Sequence, residues 1–449
     1  MTLSTPRQPR LAALRYRDFR LLWSGELLST VGSQMQLYAI NWHVARLLTG
    51  QTVTMGDGIS LDAQALGLGL LGLVNVIPII LFALVGGMLA DTFDRRKLMI
   101  GTRLIAGTLA VVLAVLTITG QTTVQVIYLL TALAAGVAAF DNPARQSLVP
   151  NLIKREHLAN AVSLNTLMWQ IGTIIGPALT GILIGVGSPA DTASQQGSPA
   201  VLNTHIGVIY AINAVTFFVA AFNLSLLHYR GEARINTGGI GWEPLKEGLR
   251  FTYSSRIIWG TMLLDFFATF FSSARTMLPL VATNVLGLDA AGYGLLATGQ
   301  AVGSLLAGGF VALRKDIHRQ GQVLLISVAI YGLATVFFGL STTFIPAYIF
   351  FALTGAGDTV STVIRGTLRQ ILTPDYLRGR MTSVNMIFFM GGPQLGEVEA
   401  GLVASVWGVP FAIVSGGVIT VLMTGWIAWN YPRLRRYTSD MTAPVPSPT

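Results

Sequence analysis

The sequence predicts an all-α polytopic membrane protein with twelve transmembrane helices in two six-helix bundles. Three observations predict it. The first is composition: hydrophobic residues make up 52% of the 449 and charged residues 11%, against about 25% charged in soluble domains. The second is where the bases fall. All of the 29 Lys and Arg except Arg46 and Arg275 lie in residues 1–20, 95–103, 145–155, 230–256, 314–319, 365–380 and 433–436, and the intervening gaps 49–61 and 187–203 hold none. A chain that threads a bilayer repeatedly keeps its basic loops on the cytoplasmic side. The third is an internal repeat. A shift of 220 positions carries Arg145 onto Arg365, Asn165 onto Asn385, Gly172 onto Gly392, Gly176 onto Gly396 and Gly181 onto Gly401.

The elements follow in order. A span needs about 20 mostly apolar residues. Twelve such stretches run over 19–47, 63–90, 98–119, 123–147, 157–186, 204–228, 257–285, 290–313, 320–340, 344–370, 377–405 and 408–430. Residues 1–17 are polar and basic, and read as a tail rather than a cleavable signal peptide. An even number of spans returns the chain to its starting side. The basic ends Arg7–Arg20 and Arg433–Arg436 place that side in the cytoplasm. The longest connector, 230–256, divides the spans six and six. Its last part, Trp242 to Tyr253, reads as a short interfacial helix. The expected domains are therefore a bundle over 1–229, the connector 230–256, a bundle over 257–437 and a disordered tail over 438–449. At the bundle starts, Arg20–Trp23 (RLLW) matches Arg256–Trp259 (RIIW) at a different shift.

Several chemistries are excluded. The net charge of +9 would suggest nucleic acid in a soluble protein, but here the bases are explained by loops on one side of a membrane. With no Cys there is no disulfide or thiol chemistry. No phosphate-binding Gly-rich loop, metal-ligand cluster or nucleophile elbow is present, so we expect no enzyme, no cofactor and no metal.

Two motifs carry more information. The loop after span 2 runs from Gly87 through Asp91 to Arg95, Arg96 and Lys97. Span 5 contains Gly172, Gly176, Pro177 and Gly181, small residues that let backbones approach and a proline that removes a backbone donor. On these motifs, over its whole length, the chain resembles the major facilitator superfamily. The opening residues LRYRDFRLLWSGELLSTVGSQM and the loop ADTFDRRKL resemble its branch of siderophore exporters and macrolide efflux proteins. Thr92 and Asp94 depart from the loop signature, where a base and a Gly are usual. The resemblance implies that Asp91 faces the start of span 11 and closes a cytoplasmic gate with Arg95 and Arg96. It also implies that the span 5 element is of the drug–proton antiporter type, which favours export. Ala132 stands where such antiporters often carry an Arg in span 4.

Ionisable groups within spans are costly in lipid and are functional candidates. Glu26 begins a helical stripe with Thr30, Gln34 and Asn41; span 7 offers Asp265, Thr269, Ser272 and Thr276 with Arg275 beside them. Span 10 carries Asp358, Thr362, Arg365 and Arg369, and span 4 carries Asp141 and Arg145. By resemblance, spans 1, 4, 7 and 10 line the central cavity. The proton-coupling and cavity candidates are Glu26, Gln34, Asp265, Arg275, Asp358 and Glu397, with Asp265 or Glu26 as the titrating acid. Glu397 and Glu399 point about 200° apart on a helix, so they do not form one site. Asp141, Arg145 and Arg365 join Gly87, Asp91, Arg95 and Arg96 at the gate. The expected protein is a monomeric exporter of small amphiphilic molecules in exchange for protons, in the bacterial inner membrane. Its partners are cargo, protons and lipid. A nutrient importer on the same fold and a non-transporting membrane sensor are the alternatives.

Overall fold

Apolar runs this long bury their backbone groups in lipid only by bonding them internally, which leaves the α-helix as the element of choice. The computed structural model describes residues 12–55, 59–92, 94–186, 199–229, 242–272, 275–314, 317–374 and 377–438. Within them the order is α1 (Arg17–Leu47), β1 (Thr52–Met55), β2 (Ile59–Asp62), α2 (Ala63–Thr92), α3 (Arg95–Ile118), α4 (Val124–Leu152), α5 (Leu158–Val186), α6 (Pro199–Ser225), α7 (Trp242–Ser254) and α8 (Arg256–Phe271). There follow α9 (Leu278–Leu280) with a π turn at Val281–Val285, α10 (Ala290–Leu313), α11 (Gln320–Leu340), α12 (Phe344–Leu372), α13 (Arg378–Trp407), α14 (Val409–Asn430) and α15 (Pro432–Arg435). Nine of the described helices are long and apolar enough to cross a membrane. The other expected spans coincide with α1 and α13, whose polar and charged residues lower their apolarity, and with α8 and α9, where α8 is only 16 residues long.

Local chemistry fixes the helix ends. Asp94 is the N-cap of α3, accepting from the backbone N–H of Arg96 (2.9 Å) and Lys97 (3.3 Å). This accounts for the acid found where the loop signature has Gly. Asp289 caps α10 through the Gly292 N–H at 2.8 Å. Gly408 holds φ at 87° between α13 and α14, a conformation that only Gly adopts cheaply.

Two expectations change in detail. The basic-free gap 49–61 contains an antiparallel hairpin, Thr52 opposite Asp62 and Met55 opposite Ile59. Asp62 then caps α2 through the Gln64 N–H at 2.7 Å. The seventh span is not continuous. α8 ends at Phe271, and α9 begins at Leu278. The expected interfacial helix is α7, whereas 230–241 and the tail from 439 lie outside the described residues.

The chain forms two compact units. The first comprises Met1–Ile40 and Ile77–Gly239, the second Asn41–Val76 and Ile240–Thr449. In the first, Phe19, Leu22, Met99, Leu148, Leu164 and Leu224 form a buried core. In the second, Leu264, Leu324, Val328, Ile364, Leu368 and Ile427 do the same.

The sequence repeat reappears as packing. In the first unit, a Cβ on Gly172 would lie 2.6 Å from Thr30 Cγ2, and one on Gly176 would lie 2.4 Å from Gln34 Cβ. In the second, a Cβ on Gly392 would lie 2.7 Å from Thr269 Oγ1 and 3.5 Å from the Phe266 ring, and one on Gly396 would lie 2.3 Å from the Phe270 carbonyl oxygen. The shift that carries Arg20 onto Arg256 also carries Thr30 onto Phe266 and Gln34 onto Phe270. Both glycine pairs therefore seat one helix on equivalent positions of another, α5 on α1 and α13 on α8. The span 5 element is a packing device in this structure. α5 continues through Pro177 and Gly181 to Val186.

Candidate functional site

Each unit buries a cluster of charges among its helices. In the first, Arg103 of α3 is the centre. Its Nη2 donates to Glu26 Oε1 of α1 and to Asp141 Oδ2 of α4, both at 2.7 Å, and its Nη1 donates to Ser29 Oγ at 2.8 Å. Arg145, one turn beyond Asp141 on α4, reaches the second oxygen of Glu26 at 3.4 Å. Thr102 donates to the remaining oxygen of Asp141 at 3.0 Å. The guanidinium of Arg103 also lies 5.7 Å from the Phe217 ring. Two acids and two arginines thus neutralise one another, and the Glu26 side chain is only 6% exposed. A charge set of this kind persists in a low-dielectric interior only when paired and hydrogen-bonded.

The second cluster joins α8 to α12. Asp265 is buried against Arg365 in a close ion pair. Arg365 also donates to Thr362 at 2.9 Å and approaches Asp358 at 3.7 Å. Arg365 is 4% exposed, whereas the Asp358 side chain is 46% exposed. The two clusters are related by the repeat. Arg145 and Arg365 are equivalent positions, and each meets an acid on the first helix of its own unit.

The structure sorts the candidates differently from the expected division into relay and gate. Glu26, Asp141 and Arg145 belong to one cluster, and Asp265, Asp358 and Arg365 to the other. Asp141 meets Arg103 rather than Arg145, and Asp265 meets Arg365 rather than Arg275. Arg96 turns to its own unit, donating from Nε to the Leu224 carbonyl at 2.8 Å and from Nη2 to the Ser225 carbonyl, at the end of α6. Arg95 begins α3 and is half-buried. Gly87 and Asp91 fall in the last turns of α2. The Asp91 side chain lies outside what is described, and so does its expected contact with the start of span 11. Gln34 is buried against Gly176. Arg275 is exposed beside the break in the seventh span and donates to Gln300 Oε1 at 3.0 Å. Glu397 and Glu399 are both half-buried on α13.

Arg103 is the residue that counting bases overlooked. It closes the basic gap 95–103, yet it lies inside the stretch expected as span 3. Seven residues past Arg96, it stands about 10 Å further along the helix. A lone Arg at that depth is itself the signal. No group of His, Asp and Glu able to hold a metal occurs among the described residues.

The family described as transmembrane secretion effector, of the major facilitator superfamily, matches residues 8–448. The chain is 27% identical to the enterobactin exporter EntS of Citrobacter koseri, over 96% of its own length and 95% of that protein's. It is likewise 27% identical to EntS of Salmonella typhimurium, over 91% and 92%. Its fold is similar to that of a bacterial homologue of the human lysosomal transporter Spinster, in an inward-facing and occupied conformation. The TM-score is 0.70 at 13% identity, with coverage of 96% and 99%. A D-xylose–proton symporter has a TM-score of 0.68 at 14% identity, with coverage of 93% and 98%. A multi-pass membrane chain with this fold, matched from end to end, is a transporter, and it belongs to the transmembrane secretion effector family of the major facilitator superfamily.

Proposed function

We propose that the protein exports small amphiphilic molecules from the bacterial cytoplasm in exchange for protons, by alternating access. In this reading twelve spans cross the inner membrane with both termini in the cytoplasm. The bundles 1–229 and 257–437, joined by the connector 230–256, rock about a site near mid-membrane. The direction is supported by relatives named as exporters. The protein works as a monomer, with cargo, protons and lipid as its partners. Nucleic acid and cofactors have no part.

The observation that carries the coupling is the contrast between the acids. Glu26 is held by two arginines and Asp265 by one in close contact, each carboxylate almost wholly buried. Protonating Asp265 leaves the buried Arg365 with only the more distant Asp358, and protonating Glu26 removes one of the two acids that balance Arg103 and Arg145; both are unfavourable. Asp358 has a 3.7 Å approach to Arg365, a long hydrogen bond from the Thr362 hydroxyl at 3.5 Å and a half-exposed carboxylate. It can take up and release a proton without dismantling a buried pair. Asp358 is therefore the exchanging acid. Glu26 and Asp265 hold the helices that position it.

The test uses inside-out membrane vesicles containing the full chain, with an acid interior and a pH-sensitive dye. Enterobactin, a macrolide and a lipophilic dye are added in turn. Addition of a transported compound should discharge the proton gradient with the wild type and fail to do so with Asp358→Asn. Transport that proceeds equally after the gradient is collapsed would sink the exchange reading.

A further inference from the structure

The short helix α7 has two unlike faces. Its inner face is fixed on two neighbours. Phe251 packs against a buried cluster of Ile258 and Met262 from α8 and Met381 and Val384 from α13. Thr252, beside it, is buried. At the edge of this face Glu247 forms an ion pair with Arg380 of α13. These contacts set the rotation of α7 and decide which side it turns outward.

The outer face carries Lys246, Leu249, Arg250 and Tyr253. They stand at i, i+3, i+4 and i+7, one side of a helix, and all four are exposed. The acid beside them, Glu247, is engaged by Arg380, and among the described residues neither base has a carboxylate partner. Arg256, exposed at the first residue of α8, adds a third base. Only Ser255 separates the two helices. The Tyr253 ring meets Trp259 edge-on, with centroids 5.5 Å apart, and Trp259 meets Phe388 of α13 at 5.9 Å. Tyr and Trp at the head of a span sit at headgroup level, which puts α7 at the membrane surface. Bases interleaved with apolar side chains fit a boundary where phosphates overlie acyl chains. A soluble acidic partner would leave Leu249 and Tyr253 without a role.

We propose that the outer face of α7, with Arg256, is a binding site for anionic phospholipid. Lys246, Arg250 and Arg256 meet the headgroup phosphates, and Leu249 and Tyr253 enter the acyl boundary. A zwitterionic lipid brings its own cation and gains little from these bases, so the site selects for net negative headgroups. The site goes beyond the export reading and stands without it.

The full chain in lipid nanodiscs provides the test, with amide hydrogen exchange over residues 249–254 as the readout. One set of discs holds phosphatidylcholine alone, the other phosphatidylcholine and phosphatidylglycerol in equal parts. Exchange should be at least about fivefold slower with phosphatidylglycerol, the worth of roughly one base at an anionic surface. Lys246→Gln with Arg250→Gln should remove that difference, and Lys246→Arg with Arg250→Lys should keep most of it. If the glutamine pair fails to fold, salt reads the same charges in the wild type, and the difference should largely vanish at about 1 M. Equal exchange in the two lipids, or slowing that survives both the glutamine pair and high salt, overturns the site. Polyglutamate added to the phosphatidylcholine discs forms the third arm; if it protects α7 more than phosphatidylglycerol does, the face belongs to an acidic protein and not to lipid. The readout needs no transport, so failure of proton exchange in vesicles removes only the export reading, and absence of lipid-dependent protection removes only this site.

Discussion

The two units present the same pairing in different states of completion. In the first, Arg103 and Arg145 satisfy Glu26 and Asp141, and the charges cancel within one network. In the second, Arg365 binds Asp265 closely and leaves Asp358 loosely attached and half exposed. The difference arises on the helices that the sequence reads as the third and the ninth span. α3 supplies Arg103, whereas α11 supplies no basic residue at all within Gln320–Leu340. A closed network resists change, since removing any member strands another. An open one has a group that can change its charge at small cost. We read the first cluster as a knot that holds its helices and the second as the part that works.

The sharpest break of that comparison is Arg103→Met. It leaves Glu26 and Asp141 buried with Arg145 as their sole remaining arginine. Stripping a partner from a buried ion pair costs about 3–5 kcal/mol. The variant should lose most of its monodisperse protein in detergent and unfold at a clearly lower temperature. Adding Glu26→Gln and Asp141→Asn should restore much of the loss. If the triple variant is no better than Arg103→Met alone, the cluster is not a charge-balanced unit.

Asp358→Asn is the counterpart in the second unit. Removing a half-exposed charge at 3.7 Å should change stability by less than about 1 kcal/mol. Proton exchange in vesicles should nevertheless fall at least about tenfold if Asp358 is the exchanging acid. A large fall in unfolding temperature with normal exchange would reverse the roles assigned to the two clusters.

The sequence disclosed these clusters unevenly, for physical reasons. Glu26, Asp265, Asp358, Arg145 and Arg365 were legible because a charge within an apolar run is conspicuous whatever its neighbours. Which acid meets which arginine was not legible, because that depends on how helices rotate against one another, and glycines govern the rotation. The repeat of Gly172 and Gly176 in Gly392 and Gly396 announced two equivalent packings. It did not announce that the facing residues would be Thr30 and Gln34 in one case and Phe266 and Phe270 in the other. Arg103 was hidden by its closeness to a basic loop. The break after Phe271 was hidden because nothing in the apolar pattern of 257–285 stops a helix there.

The paired glycines offer a third, smaller test. A Cβ on Gly396 would meet the Phe270 carbonyl and Cα, backbone atoms of α8, and one on Gly176 would meet Gln34 Cβ and the Met35 amide nitrogen of α1. Gln34 Cβ is carried by the backbone and cannot rotate away. Gly396→Ala and Gly176→Ala should therefore each cost about 1–3 kcal/mol, the usual penalty of overpacking. Thermal unfolding of the two variants in one detergent compares them. A loss confined to one variant would mean that the two glycine contacts are not equally rigid.

The smallest expected effect concerns Arg96, which the loop signature assigns to a gate and the structure assigns to the end of α6. Its two donors cover the Leu224 and Ser225 carbonyls at the end of α6, where the Leu224 carbonyl also accepts from the Leu227 N–H at 3.3 Å. A cation at a helix C-terminus contributes about 0.3–1 kcal/mol where it is partly exposed. Arg96→Ala should therefore lower stability by no more than about 1 kcal/mol. It should also speed hydrogen exchange at Leu226 and Leu227, whose N–H groups bond back into the last turn of α6. Arg96→Lys keeps the charge but loses the planar pair of donors, and should recover only part of the protection. The comparison of the units depends on this modest outcome. If Arg96→Ala leaves exchange at Leu226 and Leu227 unchanged but cuts transport about tenfold, then Arg96 acts across the gate, and the loop before α3 rejoins the working parts of the protein.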